Sequence, residues 1–205
     1  MLFKPTLALS ILLLALSSAL LAQEVSVHFI HGSKPRPAFQ HLEKKWRGGT
    51  WGGHVGVEIS PDRVIDFYPT GRVHWAARRR NPNGAFSFRS QQGFWEYFKT
   101  PPESLERTTL RIPISQQQKD LLDSLAHEYV RQSPYDYAFF GMRCTSASCD
   151  ILMQAGVLKK RSRCYTALQY FYPKKLRKRL LRMAAENGWA VTKSQGSERR
   201  KWDRD

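Results

Sequence analysis

Residues 54–68, HVGVEISPDRVIDFY, decide the fold. Apolar and polar residues alternate over residues 54–59 and again over residues 64–68, which is typical of strands that bury one face. Residues 60–62 between them (SPD) are strong turn formers. The stretch therefore predicts a β-hairpin.

The two faces of this hairpin differ in chemistry. If the loop is three residues long, His54 and Asp66 project together from one face. Gly52 and Gly53 directly before His54 allow another backbone or a ligand to approach closely. A carboxylate beside an imidazole fixes its tautomer and supports the imidazolium. Taken alone, the pair fits an ordinary strand histidine beside a surface carboxylate better. The other face holds the apolar side chains Val55, Val57, Ile59, Ile65 and Phe67.

The rest of the chain mixes strands and helices without a βαβ rhythm. Further strands are predicted over residues 24–31, 72–75 and 108–114. Helices are predicted over residues 38–46, 144–155 and 174–186, and after the capping box of Ser115 and Gln118. In that last helix, Leu121, Leu122, Leu125, Ala126 and Tyr129 mark the buried face. We expect an α+β fold with a small antiparallel sheet packed against helices.

The N-terminus has the pattern of a secretory signal peptide. Lys4 precedes an apolar run over residues 7–16, and small residues follow, with cleavage expected after Ala22 or Ala19. A membrane span needs roughly 20 apolar residues, so an uncleaved anchor is the less favoured alternative. The predicted organisation is a signal peptide over 1–22, one domain over 23–190 and a polar basic tail over 191–205. The protein is expected in a periplasm or outside the cell, with a membrane-peripheral position as an option.

Charge narrows the classes of partner. The chain has 33 Lys and Arg against 17 Asp and Glu, a net charge of +16. Export makes nucleic acid an unlikely partner and favours cell-wall polymers or anionic lipid surfaces. Trp75, Trp95 and Trp189, beside residues 78–80 and 174–182, are candidate lipid anchors. A core of aromatic residues with a solvated basic rim is slightly preferred. No phosphate-binding glycine loop is present, and no cofactor is expected.

Cys144 is a candidate nucleophile. It stands where a helix is predicted to begin, after Arg143, and both the helix dipole and the guanidinium favour a thiolate. A buried structural cysteine is the plain alternative. An exported chain with three cysteines leaves one thiol over, and a disulfide between Cys149 and Cys164 would leave Cys144 free. The spacing of Cys144 and Cys149 does not favour zinc, and no metal is expected.

The order of these residues resembles that of the permuted papain-like cysteine hydrolases. This group includes the lecithin retinol acyltransferase type and permuted relatives of NlpC-type cell-wall peptidases. The resemblance covers roughly residues 50–160. The matching positions are residues 53–57 (GHVGV), Asp66 twelve residues after His54, and residues 143–145 (RCT). Tyr137, seven residues before Cys144, falls where the acyltransferase type often carries a tyrosine. That type usually has a second histidine where Asp66 stands, and an acidic-His-Phe stretch after its cysteine, where this chain has residues 145–148 (TSAS).

The resemblance implies a permuted papain-like fold and a thioester formed on Cys144. His54 would be the base and Asp66 its orienting partner, with His74 as a substitute third member. Tyr137, Gly53, Arg143 and Thr145 would line the substrate or support the oxyanion. The backbone N–H of Cys144 is one expected oxyanion donor.

Two functions from different classes follow. The first is an exported cysteine hydrolase, either an amidase or peptidase or a lipid esterase or acyltransferase, acting on envelope peptide, peptidoglycan or lipid. The second is a non-catalytic protein on the same fold that binds anionic envelope polymers or lipids. The reactivity of the Cys144 thiol distinguishes them. The sequence gives no indication of oligomeric state.

Overall fold

The computed structural model describes residues 23–32, 52–78, 82–98 and 102–196 of the chain. The predicted signal peptide and the predicted helix over residues 38–46 lie outside the described residues. The strands are β1 (Gln23–Ile30), β2 (His54–Ser60), β3 (Arg63–Pro69), β4 (His74–Ala76), β5 (Gly84–Arg89), β6 (Arg107–Ile114), β7 (Ala138–Phe140) and β8 (Ala190–Ser194). The helices are α1 (Gln91–Trp95), α2 (Gln116–Arg131), α3 (Cys144–Gln154), α4 (Arg163–Gln169) and α5 (Pro173–Asn187).

Six of these strands form one antiparallel sheet in the order β5-β3-β2-β1-β6-β8. The predicted α+β class is therefore confirmed. The predicted hairpin is β2–β3, in which Val57 pairs with Ile65 and Gly56 with Asp66. A register irregularity near Ser60 lets a two-residue turn replace the expected three-residue loop while keeping the apolar face in register.

The main core lies between this apolar face and the helices. It contains the five predicted side chains of the hairpin, together with residues of β1, β6, α2, α3 and α5. Helix α3 is buried along residues 144–153, which is typical of a helix inside a core rather than on its surface. The capping box of α2 is confirmed, and Leu122, Ala126 and Tyr129 are buried. Leu121 is exposed, so its predicted place on the buried face is wrong.

The opposite face of the sheet carries a second, smaller cluster. Phe94 and Trp95 of α1 pack there with Ile30, Val64 and Leu105. Gly56 leaves room for this helix, because a Cβ at that position would lie 2.7 Å from Cε2 of Phe94. Helix α1 therefore covers the part of the sheet from which His54 and Asp66 project.

Two short strands lie outside the main sheet. β4 pairs in parallel with β7, with His74 opposite Ala138 and Ala76 opposite Phe140. We call this pair the ribbon. Its second strand precedes the turn that leads into Cys144.

The C-terminal boundary differs from the expectation. Strand β8 pairs with β6, so residues 191–194 belong to the sheet and not to the predicted tail. Most of this strand is exposed, and it therefore lacks the apolar alternation that reveals a strand in sequence. No helix in the described ranges is long and apolar enough to cross a membrane.

Candidate functional site

The hairpin brings His54 and Asp66 together, as predicted. His54 is the first residue of β2, and Asp66 lies on β3 opposite Gly56. Gly56 follows His54 by two residues, so His54 and Asp66 lie on the same face of the sheet. Nε2 of His54 is 2.8 Å from Oδ2 of Asp66. Both side chains are buried, and Asp66 is 0% exposed. The carboxylate therefore fixes the orientation of the imidazole in a dry environment.

Gly53 sets the entry into this strand. Its φ angle is +75°, in the left-handed region that favours glycine, and a Cβ would overlap the carbonyl oxygen of Ile30. The expected close backbone approach at this glycine is confirmed. The position of His54 thus depends on a residue without a side chain.

Cys144 is the first residue of α3, and this helix packs against β2 and β3. Its thiol interacts electrostatically with the imidazole of His54, although 90 residues separate the two in the chain. Because Nε2 of His54 is bound to Asp66, Nδ1 is the ring nitrogen left for the thiol. The imidazole of His54 therefore stands between the Cys144 thiol and the Asp66 carboxylate.

The pKa shifts of His54 and Cys144 favour an ion pair between the two side chains. Burial by itself lowers the pKa of His54, but the charge of Cys144 and the bond to Asp66 outweigh it and raise the pKa to about 9. Burial by itself raises the pKa of Cys144, but the charge and hydrogen bond of His54, with help from Thr145 and Arg143, lower it. At neutral pH the site therefore favours a thiolate beside an imidazolium.

Two residues of β5 complete the environment of Asp66. Ser87 Oγ donates to Oδ1 at 3.1 Å, and Arg89 Nε donates to the same oxygen at 3.0 Å. These bonds satisfy the carboxylate oxygen that His54 does not use. Neither residue is among those predicted from the sequence. The alternation of Phe86, Ser87, Phe88 and Arg89 was the available signal, since it places Ser87 and Arg89 on one face.

Two tyrosines flank the thiol. Tyr137 lies beside Cys144, and burial raises the pKa of Tyr137 well above its usual value. The ring of Tyr97 stacks on the imidazole of His54, and burial likewise raises the pKa of Tyr97. Both hydroxyls therefore stay protonated. Tyr137 was expected here, whereas Tyr97 was missed because it lies in an aromatic run that offered no reason to single it out.

Arg143 precedes the thiol and is 9% exposed. Its NH2 group donates to the carbonyl oxygen of Phe139 at 3.0 Å, and its guanidinium carbon lies 3.1 Å from the ring centre of Phe171. Its backbone N–H donates to Oγ of Ser146.

No side chain caps α3, so the N–H groups of its first turn are not occupied by a capping group. Thr145 is buried, and its Oγ1 lies 3.8 Å from Sγ of Cys144.

His74 does not join this series. Its Nδ1 lies 2.8 Å from Oδ2 of Asp136, a buried carboxylate that also accepts the backbone N–H groups of Arg78 and Asn83. The alternative that His74 is the third member is therefore wrong, since Asp66 holds the imidazole of His54. The pair of His74 and Asp136 instead ties the loop after β4 to the start of β7.

The predicted disulfide between Cys149 and Cys164 is absent, and all three cysteines of the chain, each in a described range, are free thiols. Cys149 is buried in α3, and burial raises its pKa to about 12, whereas Cys164 is exposed on α4. The prediction is wrong because Cys149 lies inside the core and Cys164 lies on the surface, and a disulfide requires two closely spaced side chains. Within the described ranges, no three His, Cys, Asp or Glu side chains converge on a position that would hold a metal ion.

The site thus combines a thiol, an imidazole and a carboxylate on an α+β frame, with the imidazole hydrogen bonded to the carboxylate and interacting with the thiol. Comparisons of the chain with protein families, curated proteins and solved structures find no match.

Proposed function

We propose that this protein is an exported cysteine hydrolase on a permuted papain-like fold, cleaving an amide or ester bond through a thioester on Cys144. The observation that carries the proposal is the series of Cys144, His54 and Asp66, with the pKa of the thiol lowered and that of the imidazole raised. A nucleophile, a base and a group that orients the base are the parts this chemistry requires.

The proposed reaction follows from the positions of the atoms. Sγ of Cys144 attacks the substrate carbonyl carbon, and His54 gives its Nδ1 proton to the departing nitrogen or oxygen as that bond breaks. Water then attacks the thioester while His54 accepts one of its protons, which releases the acid and restores the thiolate. Asp66 stabilises the imidazolium in each half of the reaction. A hydroxyl acceptor in place of water would make the second step an acyl transfer.

The oxyanion formed in each step needs hydrogen-bond donors. The backbone N–H of Cys144 lies in the uncapped first turn of α3, where the helix dipole also favours negative charge. Tyr137 interacts with the thiol and its hydroxyl stays protonated, which makes it the best second donor among the described side chains. The proposal therefore gives Tyr137 the oxyanion-supporting role that the family resemblance implies.

The ribbon supports an encounter with an envelope surface. Trp75 is 60% exposed and Phe140 is 54% exposed, and Arg78 is exposed just after them. A surface that joins aromatic side chains to basic ones suits an anionic lipid interface. Trp95 does not contribute, because it is only 8% exposed, and Trp189 is half-buried. The ribbon also leads directly into Arg143 and Cys144, so a surface bound there would lie near the thiol.

Alkylation by iodoacetamide at neutral pH tests the enzyme proposal, and Cys164 serves as an internal reference because it is exposed. Labelling is followed at each cysteine by mass spectrometry. We expect Cys144 to label faster than Cys164 despite its burial, and the substitution H54A to slow it by about tenfold or more. Equal rates at the two cysteines, unchanged by H54A, would reject the hydrolase and leave the binding protein for envelope polymers or lipids. Peptidoglycan fragments and phospholipid vesicles, tested with C144S as the inactive control, would then identify the substrate.

A further inference from the structure

Arg143 is a buried guanidinium without a carboxylate partner among the described residues. It is 9% exposed, and no carboxylate of the described residues forms an ion pair with it. Its Nε is buried and has no hydrogen-bond partner. Buried charges in proteins are normally paired, so this arrangement requires a reason.

Aromatic rings account for part of the stabilisation. The guanidinium carbon lies 3.1 Å from the ring centre of Phe171, 4.9 Å from that of Phe139 and 5.9 Å from that of Tyr172. Such contacts stabilise a desolvated cation. They occupy the flat faces of the guanidinium and make no use of the N–H at Nε. A planar donor whose faces are covered is left with its edge for hydrogen bonding.

The charges around the thiol do not balance. His54, Arg89 and Arg143 are three cations, whereas Asp66 and the Cys144 thiolate are two anions. Acylation of Cys144 removes the thiolate charge, and the proton that His54 gives to the leaving group removes one cation. The excess of one positive charge therefore persists through the first half of the proposed reaction. A negatively charged substrate group would neutralise this excess both before and after acylation of Cys144.

We propose that Arg143 binds an anionic group of the substrate, a carboxylate or a phosphate, next to the bond that Cys144 attacks. This inference rests on the proposed function and adds the substrate class to it. The edge of a guanidinium matches two oxygens of a carboxylate or phosphate. The N–H groups of the uncapped first turn of α3, which follows Arg143 directly, are further donors to an anion.

Two alkylating reagents of nearly equal size test the proposal without knowledge of the substrate. Iodoacetate carries a carboxylate and iodoacetamide does not. We expect the ratio of iodoacetate to iodoacetamide rates at Cys144 to exceed the ratio at Cys164 in the same molecule by about tenfold. The iodoacetate rate should saturate with concentration, and inorganic phosphate or acetate should protect Cys144 competitively. Stronger protection by phosphate would indicate a phosphate group in the substrate, and stronger protection by acetate a carboxylate.

The variant R143Q should reduce the rate ratio at Cys144 to that of Cys164, while R143K retains part of the preference. The matched control is R182Q, because Arg182 is an exposed arginine of α5, and it should leave the ratio unchanged. If R143Q does not fold, saturation and anion protection of the wild-type protein decide the question.

The outcomes separate this inference from the proposed function. Fast labelling by iodoacetamide with no preference for iodoacetate and no protection by anions would overturn the role of Arg143 and leave the hydrolase standing. Labelling at Cys144 no faster than at Cys164 with either reagent would reject the hydrolase itself. Retention of the full preference in R143Q would also overturn the assignment.

Discussion

The ring of Tyr97 lies flat against the imidazole of His54, with the ring centres 4.0 Å apart and the planes 12° apart. Asp66 holds one edge of the same imidazole, and the Cys144 thiol interacts with it as well. Stacking fixes the plane of the ring, and the hydrogen bond to Asp66 fixes its rotation within that plane. Tyr97 is therefore a positioning residue that acts through His54.

The first prediction concerns this stacking. We expect Y97A to slow iodoacetamide labelling of Cys144 by about three- to tenfold, because an imidazole free to tilt loses alignment with the thiol. The matched control is Y97F, which keeps the ring and removes the hydroxyl, and it should behave like the wild-type protein. An equal loss in both variants would assign the effect to the hydroxyl instead of the ring.

The second prediction concerns pH. Because the pKa of Cys144 is lowered, its labelling should begin at a lower pH than that of Cys164. Hydrolysis should fall as pH rises through about 9, where His54 loses the proton that the leaving group needs. Rates measured from pH 5 to 10 would show both the rise in Cys144 labelling and the fall in hydrolysis. In H54Q the rise in labelling should move to higher pH, and an unchanged rise would contradict the ion pair.

The free energy of unfolding should depend on pH through the same pair, His54 and Cys144. The raised pKa of His54 contributes stability that is fully present below about 6.5 and is lost as pH rises through about 9. The lowered pKa of Cys144 contributes stability that is lost as pH falls through the lowered value. Urea unfolding of wild type and H54Q across this range should converge above about pH 9.

The third prediction concerns the buried carboxylate. D66N keeps the shape of Asp66 but removes its charge, so we expect hydrolysis to fall roughly 100-fold or more. R89Q should lower the free energy of unfolding by about 1–3 kcal/mol, because Asp66 loses a charged donor. S87A removes a neutral donor and should cost about 1 kcal/mol or less. Activity assays and urea unfolding check these values, and an effect of S87A larger than that of R89Q would contradict this account of Asp66.

The fourth prediction concerns Gly53. Both Gly53 and Gly188 have positive φ angles, but a Cβ at Gly188 would meet no atom within 4 Å. G188A should therefore cost only the conformational penalty of about 1 kcal/mol. G53A should cost more, because its Cβ would overlap the backbone of β1, and it should also slow labelling of Cys144. Equal losses of stability in the two variants would show that the close approach at Gly53 is relaxed in solution.

The fifth prediction concerns the ribbon. The double variant W75A/F140A should lose binding to vesicles that contain phosphatidylglycerol, with at least about a fivefold weaker affinity in a sedimentation assay. The control is L168A, which removes an exposed apolar side chain from α4. Binding should weaken with salt, because the anionic surface attracts the basic chain. Vesicle binding that is unchanged in the double variant, or lost equally in L168A, would exclude the ribbon as the docking surface.

Much of the site was predictable because its parts are local. The two-residue period of the hairpin places His54 and Asp66 on one face. The register irregularity near Ser60 did not disturb this, because it compensates for the shorter turn. The start of α3 at Cys144 was likewise predictable from the breaker before it.

Other parts depend on contacts between distant segments. Arg89 reaches Asp66 only because β5 pairs with β3, and Tyr97 reaches His54 only because α1 folds back over the sheet. The predicted disulfide failed for the same reason, since Cys149 is inside the core and Cys164 is on the surface.

The hairpin, the shared face of His54 and Asp66, and a thiol at the start of a helix were predictable from local sequence. Each follows from a strand or helix period or from a turn, which a few neighbouring residues define. Three outcomes depend instead on the folded chain: the thiol meets the imidazole across 90 residues, the disulfide does not form, and Arg143 is buried without a carboxylate partner among the described residues. Those outcomes depend on which hydrophobic faces pack together, and that is a property of the whole core.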